Sequence, residues 1–80
     1  MERDLKARTK RFALEIIDLV ETLPNTISGR AIASQLIRSG TSVAANYRAA
    51  TRGRSDKEFM AKLGVVIEEA DESELWLEMI

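Results

Sequence analysis

The sequence contains neither cysteine nor histidine. Without thiols there is no disulfide and no thiolate to hold a metal, a composition that suits a reducing compartment. Without imidazoles, the commonest metal ligand and the usual acid–base group at neutral pH are both missing. No serine is arranged beside a lysine in a recognisable catalytic pattern, so an enzyme is not expected, and no cofactor or metal site is read. Aromatic residues are few, and Tyr47 points toward the packed face of its helix, which argues against base stacking on the basic side. No apolar run approaches the roughly 20 residues that span a bilayer. The opening MERDLKARTKR also lacks the apolar segment of a secretory signal. Together these absences predict a cytoplasmic protein with no membrane partner.

What is present is helical periodicity over a chain of 80 residues, enough for one small domain. A domain of that size removes only roughly 60% of its unfolded surface from water, so its own core is marginal. Unstapled scaffolds of this length rely on tight helix packing or on oligomerisation. Leu5, Phe12, Ile16, Leu19, Val20 and Leu23 share one face, which predicts a first helix over about 5–23, ended by Pro24. Asn25, Thr26 and Ser28 offer N-caps for a second helix over about 27–52, with Gly53 as its left-handed C′ residue. In the middle of that helix Ser39-Gly40-Thr41-Ser42 is a soft stretch, consistent either with a kink near Gly40 or with close approach of another helix. Ser55-Asp56-Lys57-Glu58 matches a capping box and opens a third helix over about 56–80. The link between helices two and three is short, so they form an antiparallel hairpin. The fold class read from the sequence is therefore all-α, an up-and-down antiparallel helical bundle in one domain, residues 1–80.

Helix two carries more than one apolar stripe. Ile32, Leu36, Val43, Tyr47 and Ala50 face one way, and Gln35, Ser39, Ser42 and Asn46 form a polar rail along the edge of that face. Buried amides and hydroxyls must be paired, so the rail reads as a register-fixing ladder between helices or subunits. In helix three the inward stripe is read as Phe59, Leu63, Val66, Ile67, Ala70 and Leu77. Glu74 falls among them and needs Gln35 or Arg38 as a partner, while Glu69 flanks Trp76. A second apolar group, Val65, Trp76, Met79 and Ile80, lies round the cylinder and is the candidate oligomer interface.

Charge is uneven along the chain. Residues 1–27 balance, residues 28–57 carry six cations against one acid, and residues 58–80 carry seven acids against one lysine. Arg30, Arg38, Arg48, Arg52, Arg54 and Lys57 form the candidate nucleic-acid contact, since arginine–phosphate contacts give salt-dependent, sequence-tolerant affinity. The other role of these cations is pairing with the acidic third helix, within or between subunits.

Gln35-Leu36-Ile37-Arg38-Ser39-Gly40-Thr41-Ser42-Val43-Ala44-Ala45-Asn46-Tyr47-Arg48, with Arg52, Ser55, Phe59, Glu69-Ala70-Asp71-Glu72 and Trp76-Leu77, resembles the four-helix-bundle family encoded in intervening sequences of bacterial 23S rRNA genes. The accessory variability determinant of diversity-generating retroelements is similar to that family. The resemblance implies up-down helices assembled into a homo-oligomer, a pentamer in characterised relatives, with RNA or DNA as a partner of a basic surface. Relatives commonly run on to a fourth helix, and they often carry Glu where this chain has Ala49. Two functions are expected from these features. One is a non-enzymatic homo-oligomeric scaffold or accessory factor that contacts nucleic acid. The other is a protein–protein interaction module with no nucleic-acid role.

Overall fold

The structure, a computed structural model, describes residues 4–80, so Glu2 and Arg3 of the charge count, and the first three residues of the predicted domain, lie outside the described residues. These residues form three α-helices and no strand: α1 (Leu5–Val20), α2 (Ile27–Ala50) and α3 (Asp56–Glu78). No described helix is long and apolar enough to cross a membrane.

Each start is capped. Asp4 accepts from the Ala7 N–H at 3.1 Å and Thr26 from the Gly29 N–H at 3.0 Å. Ser55 accepts from the Glu58 N–H at 3.1 Å, while Glu58 Oε1 accepts from the Arg54 N–H at 2.9 Å, one residue upstream of the usual capping-box donor. Helix α1 stops three residues before the predicted end because the Thr22 and Leu23 amides tighten into bonds to the Leu19 and Val20 carbonyls. Gly53 is not left-handed, and no described residue has a positive φ. The end of α2 closes instead through the Arg52 and Gly53 amides, which donate to the Ala49 and Ala50 carbonyls.

Helix α2 is the spine. It runs without interruption through Ser39–Ser42, and Gly40 stands at a close approach of α1. A Cβ at Gly40 would stand 2.9 Å from Ile16 Cγ2, so a glycine is what lets α1 settle onto α2 there. Helices α1 and α3 both run antiparallel to α2 and both pack on it, while their own backbones do not approach one another. The molecule is an elongated body of 45 × 22 × 17 Å. Leu36 is fully buried at its centre with Ile16 and Val20, and Phe12, Leu19, Leu23, Ala33 and Trp76 close around them. Burying a leucine this completely is worth about 2 kcal/mol.

Helix α3 is rotated relative to the predicted stripe. Val66 and Ser73 are buried, with Phe59, Leu63 and Trp76 half-buried, whereas Ile67, Ala70 and Leu77 are exposed. Glu74 is also exposed and, among the described residues, makes no hydrogen bond or ion pair, so the expected pairing with Gln35 or Arg38 is replaced by another arrangement. Ser73 takes the inward position. Trp76, assigned above to an oligomer interface, instead packs against its own chain's core, and its indole N–H donates to Glu72 at 3.2 Å. The physical reason is that Ser39 on α2 offers a hydroxyl to pair with. A small polar side chain at position 73 therefore seats the helices closer than a bulky apolar one would.

Candidate nucleic-acid interface

The predicted polar rail divides into three separate arrangements. Ser39 and Ser73, both buried, bring their hydroxyls to 2.8 Å, and Ser73 Oγ also lies 2.9 Å from the Glu69 carbonyl. Asn46 Nδ2 donates at 2.9 Å to the Ser42 carbonyl within its own helix. Gln35 is exposed, and its side-chain oxygen accepts from Arg38 at 3.3 Å. The rail is thus one buried inter-helix pair rather than a four-membered ladder. No buried side-chain polar atom among the described residues lacks a partner.

The six predicted basic residues separate in the same way. Arg30 donates to Asn25 Oδ1 at 2.9 Å and is tied to the α1–α2 turn. Arg38 is shared between Glu69, at 3.2 Å, and Glu72. With two carboxylates on one guanidinium, Arg38 is already engaged within the chain. Arg48 and Arg52 are different: both are exposed and line a shallow groove of about 480 Å³ between α1 and α2, together with Lys10. The rest of its lining is Ala13, Thr41, Ala44, Ala45 and Ala49. Arg54 and Lys57 stand exposed nearby, in the α2–α3 link and the first turn of α3. Among the described residues none of Lys10, Arg48, Arg52, Arg54 and Lys57 forms an ion pair.

Lys10 is the contributor that sequence reasoning missed. Summing residues 1–27 to zero hid the fact that Lys6, Arg8, Lys10 and Arg11 all fall in the first half of α1, and its acids, Glu15 and Asp18, in the second. Antiparallel packing then places the start of α1 beside the end of α2. Among the described residues, nine cations (Lys6, Arg8, Lys10, Arg11, Arg48, Arg52, Arg54, Lys57, Lys62) stand at that end of the bundle against Asp4, Asp56 and Glu58. At the other end stand nine carboxylates (Glu15, Asp18, Glu21, Glu68, Glu69, Asp71, Glu72, Glu74, Glu78) against Arg30 and Arg38. Net charges of +6 and −7 thus face apart along the long axis.

That segregation opposes the helix dipole at two helix ends. The first turn of α1 contains no acid, and the last turn of α3 contains no base. Each therefore sets like charge against its own helix dipole. Asp4 at the N-cap offsets this at the start of α1, and Arg48 in the last turn of α2 and Asp56 and Glu58 in the first turn of α3 are placed favourably.

Of the predicted interface group, Val65 is half-buried, and Met79 and Ile80 remain 55% and 56% exposed. The last two border a small apolar pocket with Leu23, Pro24 and Ile32 at the α1–α2 turn.

The sequence from residue 2 to residue 80 matches the family model described as 23S rRNA-intervening sequence protein. No curated protein matches the chain. The fold is similar to a crystal structure from Bacteroides thetaiotaomicron of a protein with unknown function from the S23 ribosomal protein family. The two are 38% identical with a TM-score of 0.85, over 92% of this chain and 68% of that one. By its sequence over nearly its full length, and by its fold, this chain belongs to the 23S rRNA-intervening sequence protein family.

Proposed function

We propose that this chain is a non-enzymatic, self-associating helical-bundle scaffold that contacts nucleic acid through its basic end. The observation that carries the reading is the groove of Lys10, Arg48 and Arg52. Three cations free of carboxylate partners stand over a floor of alanines, with no acidic residue in the lining. Arg48 in the last turn of α2 and Arg52 in the turn just beyond it line the same groove, an arrangement that suits successive contacts along a phosphate backbone. Small residues on the floor let that backbone approach closely, and the scarcity of aromatic side chains favours phosphate over base contacts. The helices themselves read as three corners of a four-helix bundle, since α1 and α3 pack on α2 and leave the position between them open.

Fluorescence anisotropy with labelled single- and double-stranded oligonucleotides at rising salt tests this. Retention at low salt that weakens log-linearly with salt is expected. Arg48→Glu together with Arg52→Glu should abolish it, whereas Arg38→Glu should leave it nearly intact because Arg38 is already neutralised. Failure of the wild-type protein to bind at low salt removes the proposal. That outcome would favour the second reading, a protein-interaction module, which draws support from the exposed Ile67 and Leu77 on α3.

A further inference from the structure

The groove of Lys10, Arg48 and Arg52 joins positive charge to a floor that cannot hold a base. Its cations stand on both walls, Lys10 on α1 and the two arginines at the end of α2. Between them lie Ala13, Ala44, Ala45 and Ala49, whose side chains have no polar atom. Thr41 also lines the groove, but its hydroxyl donates to the Ile37 carbonyl at 2.7 Å and is engaged within its own helix. Among the described residues no aromatic, amide or carboxylate side chain borders it. Phe12, Tyr47, Phe59 and Trp76 are all half-buried elsewhere.

These features separate the forms of nucleic acid. A single strand leaves its bases unstacked, and proteins hold such strands by stacking the bases on aromatic rings. A double helix stacks its own bases and turns its sugar–phosphate strands outward. Cations above a floor of methyl groups match that outer strand. The length matches as well. From Thr41 to Ala49 the α2 wall runs about 12 Å, at about 1.5 Å per residue. One strand of a duplex places about three or four phosphates in that distance, at about 3.4 Å each along the axis. Farther along α1 the charged residues are Glu15 and Asp18, so the acidic half of the bundle ends the run.

We infer that the groove takes one backbone strand of a double helix, whatever its base sequence, with Lys10 on one side and Arg48 and Arg52 on the other. This inference rests on the phosphate-binding role proposed above and narrows it to duplex over single strand. The alanines are then part of the site. They let the strand sink within reach of both walls, so added bulk on the floor weakens binding without any change of charge.

Fluorescence anisotropy on the intact chain is the test, with an RNA duplex, a DNA duplex and an unstructured single strand of each, all of one length and in two unrelated sequences. At least one duplex should bind about tenfold or more tightly than its own single strand, equally in both sequences. Whichever duplex binds more tightly identifies the source of the strand. Its log–log salt slope should be about −2.7, from three contacts at about 0.9 each. Lys10→Gln, Arg48→Gln and Arg52→Gln should each make that slope shallower by about 0.9. Ala45→Leu, at an exposed helical position, should weaken duplex binding about tenfold with the salt slope and the circular dichroism spectrum unchanged. Single strands held as tightly as duplexes, a preference between the two sequences, or wild-type affinity in Ala45→Leu each overturns the inference and leaves the phosphate groove standing. Binding to none of the probes removes the groove itself.

Discussion

The buried hydroxyl pair offers the sharpest test of how α2 and α3 are held in register. Ser39 is 0% and Ser73 1% exposed, so neither can turn to water. Each hydroxyl has one proton. Removing Ser39 leaves Ser73 with the Glu69 carbonyl at 2.9 Å, a sound bond. Removing Ser73 leaves Ser39 only the Leu36 carbonyl at 3.4 Å, a poor one. Ser39→Ala therefore loses one neutral hydrogen bond, about 1 kcal/mol, whereas Ser73→Ala strands a buried hydroxyl and costs about 1–3 kcal/mol. Alanine at both positions removes both demands together, and replacing both partners of a buried hydrogen bond is close to neutral. The helix propensity of alanine offsets the loss by a further few tenths of a kcal/mol at each site. The double variant should thus be more stable than Ser73→Ala alone. Urea titration at fixed protein concentration, followed by the fluorescence of the single Trp76 packed on the core, measures this. With m of about 1 kcal/mol/M, a displaced midpoint of about 1 M or more is expected for Ser73→Ala. If the double variant loses the sum of the single losses, the pair does not act as a unit and the argument fails.

Two other substitutions probe the same frame. Gly40→Ala sets a Cβ 2.9 Å from Ile16, itself only 3% exposed, so overpacking of about 1–3 kcal/mol should outweigh the roughly 1 kcal/mol that alanine contributes in a helix. A thermal midpoint equal to or above wild type would show that α1 yields at no cost. Arg38→Ala breaks the bridges to Glu69 and Glu72, but the arginine side chain is 48% exposed and the carboxylates 21% and 33%. Solvent screening should hold that loss to about 1 kcal/mol or less, diminishing in high salt, and a loss above roughly 2 kcal/mol would mean the cluster organises the hairpin.

Much of the architecture was legible in the sequence because it depends on local chemistry. Thr26 and Ser55 lie at the predicted caps, Pro24 sits in the α1–α2 turn, and the starts of all three helices follow from side chains within a turn of them. The face of α3 was misread for a reason that is itself informative. Of its most continuous apolar stripe, Leu63–Ile67–Ala70–Leu77, all but Leu63 are exposed, while the face seated on α2 has Ser73 at its centre. Periodicity finds the greasiest face of a helix. It does not say which neighbour covers it. The basic residues show the same limit: that Arg38 is engaged and Arg48 free depends on carboxylates 31 and 34 positions away on α3.

By itself the sequence determined that this chain is helical, where each helix begins, and that no thiol or imidazole chemistry is available to it. Those properties come from composition and from interactions spanning a few residues. Only the tertiary structure decided which cations are free, that Trp76 shelters within its own chain, and that an N-terminal stretch balanced in charge over residues 1–27 becomes one wall of a polarised bundle. Antiparallel packing sums charges across helices that are distant in sequence, and a running total along the chain contains no term for that.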